Sequence, residues 1–162
     1  MPSTETCPFI IIAGPCVLEG EDGRLNQEVA VELKHIIADL SQRYEPVQFF
    51  FKSSFDKANR SSGASYRGPG LTAGLDILSR IKSDVGVPVL TDIHERDEVS
   101  TVATVVDMLQ VPAFLCRQTS LLQAAGETGL PVNIKKGQFL SPTDVRHCAQ
   151  KVRDTGNEQV YI

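Results

Sequence analysis

The sequence lacks several features that would assign it to common classes. It has no tryptophan, three tyrosines and a net charge of −4, so a basic, aromatic nucleic-acid-binding surface is not expected. No apolar run approaches the roughly 18 residues of a membrane-spanning helix, and the first residues lack the basic segment of a signal peptide. The four cysteines, Cys7, Cys16, Cys116 and Cys148, show no CxxC spacing, which favours thiols in a reducing cytoplasm over a disulfide framework.

What the sequence does contain is a regular alternation of strand-like and helix-like segments, enough for one domain over residues 1–162 with 41% hydrophobic content. The continuous apolar run 8–13 predicts a strand buried on both faces. Further strands are predicted at 47–51, 88–91, 106–111, 131–135 and 158–162. Helices are predicted at 24–43, 71–85, 97–106 and 120–126, with a fifth capped by Ser141 and ending at Gly156. One helical face of segment 24–43 carries the expected core contacts Leu25, Val29, Leu33, Ile36, Ile37 and Leu40.

This order predicts an α/β fold with a parallel sheet, because the connections are helices that return the chain to the same end. No GxGxxG follows the first strand, which disfavours a dinucleotide-binding doubly wound sheet. A (β/α)₈ barrel takes about 250 residues. The chain is therefore expected to hold about the first six strand–helix units of such a barrel, roughly two-thirds of it, with the last strand ending as if cut.

The most informative segment runs from 52 to 70. It carries Lys52, Lys57, Arg60 and Arg67 against one acid, Asp56, which gives a net charge of +3 in an acidic chain. Clustered cations among serine and asparagine donors are typical of a site for phosphates or other small anions.

Polar residues also follow each of the first five predicted strands, where parallel α/β folds collect their functional groups. The segments are Gly14-Pro15-Cys16, Lys52-Ser53-Ser54, Asp92-Ile93-His94, Gln110 to Gln118, and Lys135-Lys136. Three of them are cationic, which indicates two bound anionic groups. Strand alternation assigns Lys135 to the site and leaves Lys136 in solvent.

Several of these side chains have simpler interpretations. Asp92 fits a cap of the following helix as well as a site residue. Cys16 fits a small buried hydrophobic residue better than a metal ligand, because no paired ligand spacing accompanies it. The residues expected outside the site, in helix turns, on the surface or in packing, are His35, His94, Glu95, Cys116 and His147.

Five motifs together resemble one family, 3-deoxy-D-manno-octulosonate 8-phosphate synthase. They are the segments 51–62, 65–70, 91–95, 112–119 and 133–139, within a resemblance that covers residues 8–162. The resemblance implies a (β/α)₈ barrel, usually a homotetramer, that acts in lipopolysaccharide biosynthesis. Such an enzyme condenses phosphoenolpyruvate with D-arabinose 5-phosphate and releases inorganic phosphate.

Carried over to this sequence, the resemblance implies two sets of substrate-binding residues. The set for phosphoenolpyruvate is Lys52, Ser54, Lys57, Gln110, Ala113 and Lys135. The set for arabinose 5-phosphate is Asn59, Arg60, Ser61 and Asp92, with Arg117 reaching the sugar phosphate of a neighbouring subunit. Lys57 lies near both substrates, and Lys57, Asn59 and Asp92 are the implied catalytic residues.

The cysteine after Gly14-Pro15 resembles the metal-dependent branch of the family, so the resemblance makes Cys16 a ligand of a divalent ion such as Zn, Fe, Mn or Co. The family's other ligands, a His, a Glu and an Asp, would lie beyond Ile162, and Ser120 stands where the family usually has Asp. The chain alone is therefore expected to be inactive. Two alternatives stay open: a 3-deoxy-D-arabino-heptulosonate 7-phosphate synthase-like enzyme, or a non-catalytic phosphate-binding remnant.

Overall fold

The fold is built on one sheet of six parallel strands, in a computed structural model that describes residues 9–20, 22–44 and 47–162. The strands are β1 (Phe9–Ala13), β2 (Val47–Lys52), β3 (Val89–Asp92), β4 (Met108–Val111), β5 (Val132–Ile134) and β6 (Val160–Tyr161). Their order in the sheet is their order in the chain. A doubly wound sheet would reverse this order at a switch point, so the consecutive pairing gives the expected partial (β/α)₈ barrel.

Helices fill the connections between successive strands. They are α1 (Arg24–Arg43), α2 (Leu71–Arg80), α3 (Val99–Ala103), α4 (Thr119–Glu127) and α5 (Val145–Arg153). A π-helical turn, Ile81–Val85, continues α2, and short 3₁₀ turns occupy Arg96–Glu98 and Ala113–Leu115. No helix within the described ranges is both long and apolar enough to cross a bilayer.

The fifth helix begins later than predicted. Its first residue is Val145, while Ser141 accepts a hydrogen bond on Oγ from the backbone N–H of Asp144, 3.2 Å away. The serine therefore caps a separate turn, and the helix itself starts one turn further on. The predicted helix 97–106 is likewise divided, because its first turn is 3₁₀.

One burial prediction for the first unit was wrong, and another was right only in part. β1 pairs only with β2 in the described sheet, and Phe9 and Ile12 are 62% and 36% exposed instead of buried on both faces. On α1, three of the six predicted core contacts, Val29, Leu33 and Ile37, do pack against the core, but Leu25 and Ile36 are 51% and 52% exposed. The helix also turns Asn26 and Ala30 inward, and Nδ2 of Asn26 donates to the carbonyl of Glu19 at 2.8 Å. Pro8, predicted in the first strand, and Cys7 lie outside the described residues.

The core has two parts because strand side chains alternate between the two faces of the sheet. The larger part lies between the sheet and the helices and includes Phe51, Val89 and Leu109. A smaller cluster of Phe50, Leu90 and Met108, with Ile10 against it, lies on the other, concave side. The concave cluster forms an apolar layer directly before the carboxyl ends of the strands.

Candidate active site

A cavity of about 330 Å³ opens at the carboxyl ends of the central strands. Lys52 ends β2, Asp92 ends β3 and Gln110 lies near the end of β4, so strand direction alone brings them together. The residues that line the cavity are Lys52, Lys57, Ala58, Asn59, Asp92, His94, Gln110, Pro112, Ala113, Phe114, Leu115, Lys135 and Gln138.

Two lysines at this cavity share one serine hydroxyl. Oγ of the buried Ser54 lies 2.5 Å from Nζ of Lys52 and 2.8 Å from Nζ of Lys57, and both amines donate to it. Burial lowers the pKa of Lys52; the carboxylate of Asp92 opposes this shift, and the charge of Lys57 adds to it. Two ammonium groups held side by side in a partly dry cavity favour the binding of an anion.

Gly14 explains how the end of β1 approaches this part of the site. A Cβ atom at Gly14 would lie 2.1 Å from the carbonyl oxygen of Lys52, so only glycine fits this contact. Beyond it, Val17 forms an isolated parallel bridge with Ser54. Cys16 is exposed between these two contacts and lies outside the cavity lining.

Asp92 forms the acidic side of the cavity. Its Oδ1 lies 3.5 Å from Nζ of Lys52, and its Oδ2 lies 3.3 Å from Nε2 of His94. Burial by itself would raise the pKa of Asp92, but the hydrogen bond with His94 and the charge of Lys52 hold it well below its usual range. Burial would lower the pKa of His94, but the hydrogen bond and charge of Asp92 raise it. Asp92 is therefore an ionised acceptor and not a helix cap.

The neighbouring strand ends contribute neutral and cationic groups. Oε1 of Gln110 accepts a hydrogen bond from Nδ2 of Asn133 at 3.0 Å, which fixes the amide at the cavity wall. Lys135 lines the cavity, whereas Nζ of Lys136 donates to the carbonyl oxygens of Gly137 and Leu140. Lys136 thus lies outside the site, as predicted, but the expectation that it is in solvent was wrong: its side chain is half-buried against backbone carbonyls just after β5, whereas Lys135 is exposed at the cavity.

Not every predicted site residue lines this cavity. Lys52, Lys57, Asn59, Asp92, Gln110, Ala113 and Lys135 do. Ser54 is buried behind the two lysines that it binds. Arg60, Ser61 and Arg117 are exposed and lie outside the lining. Their roles stay predictions.

Comparison with known proteins identifies the family. A family model described as DAHP synthetase I matches residues 5–162. The chain belongs to this family. It is 54% identical over 155 residues to 2-dehydro-3-deoxyphosphooctonate aldolase of Acidithiobacillus ferrooxidans, covering 96% of this chain and 53% of that protein. The protein of the same name from Cupriavidus necator is 56% identical over 151 residues, covering 93% and 50%.

A third protein of that name, from Desulfatibacillum aliphaticivorans, is 52% identical over 155 residues, covering 96% of this chain and 54% of the relative. Its name, like the family suggested by the five motifs, denotes an eight-carbon 3-deoxy sugar acid phosphate, so that resemblance is confirmed. The chain spans about half the length of the curated relatives it matches.

Sequence reasoning missed His94 in this DAHP synthetase I family member. It was assigned to the first turn of the next helix, yet its imidazole lines the cavity beside Asp92. The available signal was the spacing of two residues, which keeps both side chains on one side of an extended segment. The pairing of Arg67 with Asp56 was also missed: Nε of Arg67 donates to Oδ1 at 2.8 Å and Nη2 to Oδ2. Two of the four segment cations therefore have acidic partners, Arg67 with Asp56 and Lys52 with Asp92.

Of the ligands implied for a metal in this family member, Cys16 alone lies in this chain, and its side chain is exposed. Within 9–20, 22–44 and 47–162, no three His, Cys, Asp or Glu side chains come together to hold an ion. Cys16 as a metal ligand therefore stays a prediction.

Proposed function

We propose that this chain carries the substrate-binding part of a 3-deoxy-D-manno-octulosonate 8-phosphate synthase active site. The observation that carries the proposal is the cavity lined by Lys52, Lys57 and Lys135 together with the ionised Asp92. The lysines would bind the anionic groups of two phosphorylated substrates, and the carboxylate of Asp92 would bind sugar hydroxyls. The names of the relatives support the same reaction.

The proposed reaction joins phosphoenolpyruvate to D-arabinose 5-phosphate and consumes water. C3 of the enol forms a bond to the aldehyde carbon, whose oxygen takes up a proton. Water adds at C2, where positive charge develops, and the bond from C2 to the phosphate oxygen breaks. The products are 3-deoxy-D-manno-octulosonate 8-phosphate and inorganic phosphate. No covalent link to the protein is needed, so positioning and charge stabilisation supply most of the catalysis.

The lysines would bind phosphoenolpyruvate. The Nζ atoms of Lys52 and Lys57 both donate to the hydroxyl of Ser54, which holds the two ammonium groups close together. Ammonium groups this close can bind neighbouring oxygens of one phosphate or carboxylate. Lys135 approaches from the next part of the rim, with Gln110 and Ala113 along the wall. Two highly charged anions placed side by side repel each other, and Lys57 between them offsets that repulsion.

Asp92 and Asn59 would orient the sugar. An ionised carboxylate only accepts hydrogen bonds, so Asp92 selects a hydroxyl donor, and the Asn59 amide can both donate and accept. Arg60 and Ser61 lie outside the lining and would take the 5-phosphate at the rim.

We further propose a cytoplasmic homotetramer. Arg117 and Phe114 are both exposed on the segment after β4, where Arg117 can reach a neighbouring subunit. Cys16, Cys116 and Cys148 are free thiols, which suits a reducing compartment. Sedimentation of a protein of the relatives' length would test the assembly, and a monomer would contradict it.

Titration calorimetry with phosphoenolpyruvate tests the proposal directly. We expect the 162-residue chain to bind phosphoenolpyruvate, and a Lys52→Met, Lys57→Met double variant to lose the heat of binding. The matched control is Lys34→Met with Lys82→Met, which removes two lysines outside the cavity. Absence of binding by the unmodified chain would contradict the proposal.

The acceptor separates this function from its nearest alternative. The matching family model, described as DAHP synthetase I, favours a heptulosonate 7-phosphate synthase as the second candidate. A protein of the relatives' length should release phosphate with arabinose 5-phosphate and far less with erythrose 4-phosphate. The reverse preference would assign the second function. Binding of phosphoenolpyruvate with no phosphate release from either acceptor would indicate a binding remnant.

A further inference from the structure

A carboxylate outside the cavity contacts a residue that lines it. Glu98 ends the 3₁₀ turn Arg96–Glu98, and its side chain folds back toward the end of β3. Its Oε1 accepts hydrogen bonds from the backbone N–H groups of His94 and Glu95, the latter at 3.2 Å. Glu98 is absent from the cavity lining, and its side chain is only 14% exposed.

The imidazole of His94 lies between two carboxylates. Its Nε2 is 3.3 Å from Oδ2 of Asp92, and its Nδ1 is 3.7 Å from Oε1 of Glu98. The ring edge packs on Phe55, with ring centroids 5.6 Å apart and planes at 83°. A neutral imidazole can donate from one nitrogen only. Carboxylates on both sides therefore favour the doubly protonated ring.

We propose that Glu98 is a positioning residue of the cavity: through Nδ1 of His94 it keeps the imidazole doubly protonated, so that Nε2–H always donates to Asp92. Nδ1 is buried and has no hydrogen-bond partner within the described part of the chain. The contact with Glu98 is thus an ion pair without a hydrogen bond. The donated Nε2–H turns one oxygen of Asp92 toward His94 and the other toward Lys52.

The other charges around His94 support this arrangement. Burial would lower the pKa of His94; Asp92 is the largest opposing influence, and Glu98 and Asp56 add to it. The cations on the other side are Lys52, Lys57 and Lys135, which line the same cavity. Asp92 lies between Lys52 and the imidazole of His94 and contacts both, so its negative charge separates the two cationic groups.

The chain has three histidines, which makes the test direct. The ring nitrogens of His35, His94 and His147 would be followed by NMR from pH 5 to 9 in the 162-residue chain and in Glu98→Gln. Glutamine keeps an oxygen for the two backbone N–H groups but removes the charge. We expect the midpoint of His94 to move to lower pH, while the exposed His35 and His147 stay unchanged.

The control is Asp97→Asn, which removes an exposed carboxylate from the same turn. A shift of His94 as large in Asp97→Asn as in Glu98→Gln would overturn the proposal, as would no shift in Glu98→Gln. If Glu98→Gln does not fold, the unmodified chain decides: a His94 midpoint at or below that of His35 rejects the proposal. The NMR result needs no substrate. Failure of phosphoenolpyruvate binding would therefore reject the proposed function and leave this inference standing.

Discussion

At the scale of single residues, Ser54 determines how the cavity presents its positive charge. It is buried, and its one oxygen accepts hydrogen bonds from Lys52 and Lys57. Without that oxygen, two flexible ammonium groups would separate, since like charges repel and lysine side chains have many rotamers. The hydroxyl therefore holds both amines ready before an anion arrives.

Replacing Ser54 by alanine should weaken phosphoenolpyruvate binding about tenfold or more. A hydrogen bond to a charged group contributes about 1.5–3 kcal/mol. Without the hydroxyl, phosphoenolpyruvate has to order the two lysine side chains itself, and this cost weakens its binding. Calorimetry would measure the change, with Ser100→Ala at an exposed position on α3 as the matched control. Equal affinities for Ser54→Ala and the unmodified chain would show that the shared hydroxyl has no preorganising role.

The lowered pKa of Lys52 predicts an alkaline limit to anion binding. Burial disfavours the ammonium form in the folded chain, so Lys52 loses its proton at a lower pH than an ordinary lysine. Phosphoenolpyruvate affinity should fall as the pH rises through this lowered pKa. Folding stability should rise over the same range, because the unfolded chain then binds more protons.

Calorimetry from pH 7 to 10 would measure this dependence. In Lys52→Gln the affinity for phosphoenolpyruvate should be weak at every pH. The fall in affinity as the pH rises through the lowered pKa of Lys52 should be absent. An unchanged alkaline profile in Lys52→Gln would assign the titration to another group.

Much of this site was predictable residue by residue. Lys52, Asp92 and Lys135 were placed together because parallel strands end at one edge of the sheet, and they do line one cavity. The pairing of Arg67 with Asp56 was not predictable, because it depends on how the loop between them folds back. His94 was missed because it was assigned to the first turn of the next helix, whereas it lies in the segment before that turn begins at Arg96.

At the scale of elements, long periodic segments were predicted better than short ones. The bounds of α1 match residues 24–43 because 20 residues of helical pattern leave little ambiguity. The buried face of α1 was less predictable, since Asn26 satisfies its polar group inside and two large apolar residues remain outside. The periodicity of a helix can be read from its own sequence, whereas its packing partners depend on other segments of the chain.

The first turn of α2 packs closely on the loop that carries the cavity lysines. A Cβ atom at Gly74 would lie 2.3 Å from Cβ of Phe55 and 3.2 Å from its Cα. Gly74→Ala should therefore destabilise the chain by about 1–3 kcal/mol, although alanine alone favours a helix by about 1 kcal/mol. Urea unfolding would measure it.

Gly63→Ala is the control for Gly74→Ala, since a Cβ atom at Gly63 meets nothing within 4 Å. A stabilised Gly74→Ala variant would mean that α2 can move away from Phe55 at no cost.

At the scale of the whole molecule, the described sheet has two outer strands. β1 pairs with β2 alone and β6 with β5 alone, and Ile12 lies exposed on β1. Unpaired strand edges with apolar side chains attract further strands. The same surfaces would be covered in a closed barrel.

The 162-residue chain should therefore self-associate as its concentration rises, and Ile12→Lys should raise the monomer fraction. A charge on an outer strand opposes edge-to-edge pairing. Sedimentation velocity would measure the monomer fraction. Thr101→Lys, which adds the same charge on the exposed surface of α3, should leave it unchanged. Equal effects of the two lysines would attribute the change to net charge.

The apolar layer of Phe50, Leu90 and Met108 has a consequence for how this protein can vary. Each of these residues comes two positions before a cavity residue, namely Lys52, Asp92 and Gln110. A single residue gained or lost within β2, β3 or β4 would reverse which side chains face the concave side. It would place a charged or polar side chain in the core between the sheet and the helices, and an apolar side chain of that core, such as Phe51, in the cavity. Insertions and deletions should therefore accumulate in the helices and loops. The spacing of two positions between each residue of the apolar layer and its cavity residue should stay fixed.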